Sequence, residues 1–128
     1  MFTQITQGVK VSVETFYRDD HSNPFEGEYT FAYRIIIENN SDKTIQLLRR
    51  HWFIVDANGM YKEVEGEGVV GQQPIIEPDG VHQYVSGCHL KTEIGKMYGS
   101  YLMKRHDDWS LFKVDIPEFV MVAPVKMN

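Results

Sequence analysis

Apolar and polar residues alternate along most of this chain, and helical spacing is hard to find anywhere. Val9, Val11 and Val13 alternate with Lys10, Ser12 and Glu14, which predicts a strand with one buried face. Arg18–Gly27 is charged and turn-forming and reads as a loop. Tyr29, Phe31, Tyr33, Ile35 and Ile37 then alternate with Thr30, Ala32, Arg34, Ile36 and Glu38, the longest clean alternation in the chain and a candidate central strand. Asn39–Lys43 makes the next turn. In Thr44–Asp56, Ile45 and Leu47 put one parity inward, whereas Trp52 and Ile54 put the other inward. A parity switch near Leu48–Arg50 is what a β-bulge or a sheet-switching bend would produce.

Asp56-Ala57-Asn58-Gly59 reads as a hairpin turn, because Asn-Gly suits positive φ. Met60–Glu65 returns as a short strand, and Ile75 and Ile76 form a short apolar piece. Pro78-Asp79-Gly80 is a turn signal. Val81, Gln83 and Val85 alternate with His82, Tyr84 and Ser86 up to Cys88. His89–Lys96 reads as a loop, followed by strands over Met97–Met103 and Trp109–Ile116 joined through Lys104–Asp108. Pro117 is expected to break the last strand and leave Phe119–Val122 as an apolar tail that must pack. About eight short strands at regular spacing predict a single all-β domain over 1–128. An antiparallel β-sandwich is favoured over a barrel, because several strands are cleanly one-sided.

Composition narrows the classes further. Hydrophobic content of 42% with 24% charge is that of a globular domain able to bury a core without staples. The lone Cys88 excludes an internal disulfide and fits a reducing cytoplasm. The first residues lack the basic start and apolar run of a signal peptide, and no run is long enough for a membrane span. A net charge of −5 with no clustered basic face argues against a nucleic-acid partner.

Candidate chemistry centres on Val64–Pro74, where Gly66, Gly68 and Gly71 stand in the spacing G-x-G-x-x-G. Glycines let several backbone N–H groups curl around one phosphate. The dinucleotide fingerprint also requires a helix directly behind the glycines. Here Gln72-Gln73-Pro74 follows, and Pro74 biases Gln73 away from helical angles. No Lys-Ser/Thr completes a P-loop, and Glu65 and Glu67 would repel phosphate. The plainer reading is a connection between sheets that needs positive φ.

Taken together, several segments carry a resemblance. These are Asn39-Asn40-Ser41, Gln46-Leu47-Leu48-Arg49-Arg50-His51-Trp52-Phe53-Ile54, Asp56-Ala57-Asn58-Gly59 and Val64 to Pro74. Tyr84-Val85-Ser86-Gly87-Cys88, Met97 to Met103, Ile116-Pro117-Glu118-Phe119 and Pro124 extend it over nearly the whole chain. The sequence resembles the ApaG family. That resemblance implies a fibronectin type III-like (immunoglobulin-like) sandwich in a bacterial protein with no established enzymatic activity. Related domains in larger eukaryotic proteins look like interaction modules. The family's glycine motif, likened to pyrophosphate-binding loops, maps onto Gly66, Gly68 and Gly71. Pro78-Asp79-Gly80 and His82 depart from the family's usual pattern.

Other constellations are weaker. Arg50 shares the inward parity of Trp52 and must be paired or lie at a sheet end; an arginine here reaches either a bound anion or a strand carboxylate. The five histidines and Cys88 show no short zinc spacing, so no metal is expected. No serine or cysteine sits in a recognisable nucleophile setting, so no catalytic residue and no cofactor are expected. The aromatic set of Tyr29, Phe31, Tyr33, Tyr84, Tyr98, Tyr101 and Trp109 reads mostly as core or cross-strand ladder. The expectation is a non-catalytic interaction module that docks a protein partner through Gly66–Gln73 and exposed strand edges. Gly66, Gly68, Val69, Val70, Gly71, Gln72, Arg49 and Arg50 are its candidate site residues. An edge-paired homodimer fits the same picture. The alternative is a binder of a pyrophosphate-containing ligand, such as a dinucleoside polyphosphate, at the Gly66–Gly71 loop.

Overall fold

The computed structural model describes residues 1–124. Its strands are β1 (Phe2–Thr6), β2 (Val9–Tyr17), β3 (Tyr29–Asn39), β4 (Ile45–Asp56), β5 (Tyr61–Glu67), the two-residue β6 (Ile75–Ile76), β7 (Val81–Leu90), β8 (Ile94–Arg105) and β9 (Leu111–Val122). They form two antiparallel sheets, one ordered β1-β2-β3-β7 and the other β5-β4-β8-β9, with β6 also on β4. This is the antiparallel β-sandwich that the alternation predicts. Among the described residues no helix is long and apolar enough to cross a membrane.

Alternation sets the core. Val9, Val11 and Val13 of β2 and Phe31, Tyr33, Ile35 and Ile37 of β3 are all buried, as their parity requires. Trp52 of β4 sits at the centre, with ring centroids 5.5 Å from Tyr33, 5.9 Å from Phe119 and 6.4 Å from Tyr101. On one side of the sandwich β9 packs against β1 and β2. On the other side β7 and β5 are the last strands of their sheets, and a cleft opens between them.

Two bulges re-aim strands. Leu47 and Arg49 of β4 face Met103 and Leu102, so Leu48 is an extra residue and inward parity passes from Leu47 to Arg50, Trp52 and Ile54. This is the switch the sequence predicts. Ile116 and Phe119 of β9 face Gly99 and Met97, placing a second bulge at Pro117-Glu118. Pro117 therefore does not break the strand, contrary to expectation. It lies on an edge strand at the bulge, where proline's missing N–H costs no ladder bond. The expected tail is the end of β9, with Phe119 and Met121 fully buried.

Other boundaries differ for local reasons. β1 was not evident in the sequence because a short edge strand with Ile5 exposed carries little pattern. Arg18–Gly27 holds two single-turn 3-10 helices, Asp19–His21 and Pro24–Glu26. The loop expected over His89–Lys96 shrinks to a turn at residues 91–93. There the buried Asp56 carboxylate accepts the Lys91 N–H at 2.6 Å and the Thr92 hydroxyl. Trp109 lies outside β9 at φ 61° and is 62% exposed, so it belongs to neither a strand nor the core. The Lys104 ammonium sits 4.9 Å from its ring centroid. In β7 the inward parity is that of His82, Tyr84, Ser86 and Cys88, while Val81 and Val85 face outward.

Candidate functional site

The bulge in β4 is the foundation of the glycine segment. An extra residue turns its carbonyl out of the ladder, and the Leu48 carbonyl is used twice here. It accepts the Gly68 N–H at 2.8 Å and the Gln73 side-chain amide at 2.9 Å. The Pro74 carbonyl accepts the Leu47 N–H, and Gln46 donates to the Gln73 carbonyl. Both ends of the segment are thus tied to β4.

Between those ties the chain forms a second, smaller hairpin. Val69 and Gln72 exchange both backbone hydrogen bonds, at 2.8 and 3.0 Å. Val70 and Gly71 are its two-residue loop, with φ of 47° and 76°. Positive φ at both central positions is what a type I′ turn demands, and Asn-Gly is its preferred sequence. A β-branched valine there is a genuine outlier, held because the surrounding bonds over-determine it. Val70 is also 63% exposed, whereas its neighbour Val69 is buried in the core. The hairpin is therefore anchored by one valine and tipped by the other.

The three glycines have separate duties. Gly66 lies in β5 opposite Arg50, not in the loop. Gly68 has φ 65°, and a Cβ on it would fall 2.2 Å from the Gln72 carbonyl oxygen. No other residue fits there. Gly71 serves the turn alone, with open space where its side chain would be.

Arg50 faces inward and is half-buried. Its Nη1 donates to the Glu67 carbonyl at 2.9 Å and to the Gly68 carbonyl at 3.0 Å. Sequence reasoning offered an anion or a strand carboxylate for this arginine. The structure gives it backbone carbonyls, which lie at the sheet end where β5 turns into the hairpin. Arg49 points outward on the other parity, with Nη1 4.0 Å from a Glu67 carboxylate oxygen. The candidate residues thus gather at one corner, but the Gly68, Val69 and Gln72 amides are bonded to the protein's own carbonyls and do not converge on one point.

Beside this corner lies the cleft between β5 and β7, about 550 Å³ in volume. Tyr33, Trp52 and Cys88 line its floor, Arg50, Lys62 and Val64 one wall, and Tyr84 and Ser86 the other; Val70 and Gly71 reach its rim. The Tyr84 hydroxyl is hydrogen-bonded to that of the fully buried Tyr101. Burial raises the titration of Tyr33, Tyr84 and Tyr101 above the ordinary phenol range and pushes the Cys88 thiol up to about 11. At neutral pH these groups are uncharged, and a protonated thiol is a poor nucleophile. The fixed charges at the cleft are the cations Arg50 and Lys62 and, at the rim, Glu67.

The structure also brings together residues that spacing could not. On the outer face of the second sheet, His51 Nε2 lies 2.7 Å from Glu63 and Nδ1 lies 3.2 Å from Glu65. One ligand atom from each falls within 4.8 Å of the others. Both ring nitrogens already face a carboxylate, so the trio reads as a cross-strand hydrogen-bonded cluster. The signal was register, since β4 and β5 place His51 directly opposite Glu65. The same face carries stacked Phe53 and Tyr98, with centroids 5.1 Å apart.

Comparison with known proteins places this architecture. The ApaG domain family model matches residues 19–105. Protein ApaG of Brucella anthropi is 51% identical over 124 residues, covering 97% of this chain and 95% of that protein. Protein ApaG of Brucella suis biovar 1 is 46% identical over the same length. Among solved structures, a Bordetella pertussis protein designated ApaA superposes with a TM-score of 0.88 at 39% identity, covering 92% of this chain and 95% of that one. The chain belongs to the ApaG family.

Proposed function

We propose that the chain is a non-catalytic protein-interaction module, a fibronectin type III-like sandwich that works in the cytoplasm and docks a partner through the Val69–Gln72 hairpin. One observation carries this reading. The hairpin is rigidly bonded to itself and to the β4 bulge, and it projects an apolar, backbone-strained Val70 into solvent. Backbone strain of this kind clusters at binding and switch sites, and Val70 stands at the rim of the cleft. The pyrophosphate reading has less support, because the Gly68, Val69 and Gln72 N–H groups are already used inside the protein. The buried Cys88 thiol, raised by burial, fits a non-catalytic role.

The test is cross-linking capture from the native lysate with wild-type and Val70→Asp protein, combined with calorimetry against diadenosine tetraphosphate. The expected result is a partner whose cross-links map to the hairpin and disappear in Val70→Asp, with no heat from the nucleotide at millimolar concentration. Saturable nucleotide binding, or turnover of the nucleotide by chromatography, would overturn the proposal.

A further inference from the structure

Sandwich proteins guard the outer strands of their sheets, because an open row of N–H and C=O groups pairs with any extended chain. Among the described residues, three of the four strands that end the two sheet orders are guarded, and β6, also on β4, is only two residues long. β5 carries Lys62, Glu63, Glu65 and Glu67; β9 carries Lys113, Asp115, Glu118, Pro117 and a bulge; β1 is five residues long. β7 is different. Its ten residues, Val81–Leu90, contain no Asp, Glu, Lys, Arg or Pro, and among the described residues it pairs with β3 alone. Its open side is the side that faces the cleft, since Tyr84 to His89 all line that cleft.

The opposite wall says what should lie there. Gly66, Val64 and Lys62 of β5 face Arg50, Trp52 and Ile54 of β4 across the ladder, so Lys62 and Arg50 share the inward side. Among the described residues neither cation forms an ion pair with a carboxylate. The protein as a whole is acidic, at −5. Two cations without a carboxylate partner, with Trp52 between them in the register and Glu67 only at the rim, favour a chain that presents carboxylates at both ends and an apolar residue between. Arg50 and Ile54, the β4 partner of Lys62, are four residues apart on one strand, a span of roughly 13 Å, which matches positions i and i+4 of an extended peptide.

We infer that the free edge of β7 receives an extended acidic segment of a partner protein as an added strand, with the pattern acidic-x-apolar-x-acidic turned into the cleft. Main-chain bonds to β7 supply affinity, and the alternate side chains supply selection. A second copy paired through β7 would continue the sheet sideways and leave Arg50 and Lys62 unmet. The inference rests on the interaction-module reading and gives that module its second contact.

The probe is a phage-displayed library of random ten-residue peptides, selected on the immobilised full chain at low salt and mapped by amide shifts of the isotope-labelled protein. Recovered peptides are expected to share two acidic residues four apart, to shift β7 amides, and to weaken as salt rises. Lys62→Glu and Val85→Glu, both at exposed positions, should each weaken binding by about tenfold or more while thermal unfolding stays cooperative. Failure to select any peptide, selection without the acidic pattern, or shifts confined to another edge would overturn the inference. So would a solution dimer that Val85→Glu dissociates, which would assign the edge to a second copy. If Val70→Asp still abolishes partner capture while no peptide binds β7, the module reading stands and the added-strand reading falls.

Discussion

The guanidinium of Arg50 occupies the place where a side chain at Gly66 would be. A Cβ on Gly66 would lie 2.9 Å from both Nη1 and Nη2 of Arg50. The two residues face each other across the β4–β5 ladder, and the absent side chain is what lets the arginine fold over β5 to the Glu67 and Gly68 carbonyls. The first glycine of the motif therefore makes room for an arginine. Gly66→Ala should push the guanidinium off both carbonyls and cost about 1–2 kcal/mol, one to two hydrogen bonds to a charged group after relaxation. Urea unfolding checks the loss, and an amide spectrum should show the change spreading into the Val69–Gln72 hairpin. Shifts confined to Gly66 would contradict the arrangement.

Gly68→Ala should be worse. The added methyl meets a backbone carbonyl that cannot move without breaking the Val69–Gln72 pair, and φ is left-handed there as well. The expected loss is about 3 kcal/mol or more. Gly71→Ala meets open space and should cost about 1 kcal/mol, from the left-handed backbone alone. Equal effects at the two positions would show that close packing is not what separates them.

Asp56 binds two distant turns. Its carboxylate accepts from Ala57 N–H, Lys91 N–H and the Thr92 hydroxyl, and the residue is 7% exposed. Asp56→Ala would leave the Lys91 N–H without its acceptor, while the Ala57 N–H and the Thr92 hydroxyl keep the Ile94 carbonyl, and should lower stability by about 1–3 kcal/mol. Hydrogen exchange should quicken first in residues 90–95. An unchanged unfolding midpoint would contradict this role.

The cleft floor sets a pH dependence. The Cys88 thiol, ordinarily near 9.0, is raised by burial to about 11, and Tyr33, Tyr84 and Tyr101 are raised in the same sense. The folded state then keeps protons that the unfolded chain has released. Stability from these groups is full below pH 9 and falls as pH climbs from 9 towards 11. Chemical unfolding at stepped pH should show that decline, reduced in Cys88→Ala. A flat profile to pH 11 would contradict the buried, neutral cleft.

The sandwich was legible because alternation and burial are one fact along β2 and β3, and because the parity change between Leu47 and Trp52 announces a bulge. Proline misled at Pro117, since its rule against strand interiors is relaxed at an edge bulge, and edge position is a property of the whole sheet. The motif at Gly66, Gly68 and Gly71 was visible, but its meaning depends on which carbonyls take the amides. Leu48 does so through a tertiary contact at the β4 bulge, and Gln72 through a turn whose Val70-Gly71 pair lacks the usual Asn-Gly signal. The uncharged run of β7 was also in plain view; its position as the strand beside a cationic cleft required the sheet order.

Val70→Asn tests the central claim most directly, because it separates stability from docking. Asn-Gly is the preferred pair for this turn, so the substitution should relieve the strained valine and raise stability by about 0.5–1 kcal/mol. It also removes the apolar tip. The measurement is cross-linking capture of the partner by Val70→Asn alongside its thermal midpoint. A higher midpoint with the hairpin cross-links lost is the predicted result, and a higher midpoint with capture undiminished would contradict the account.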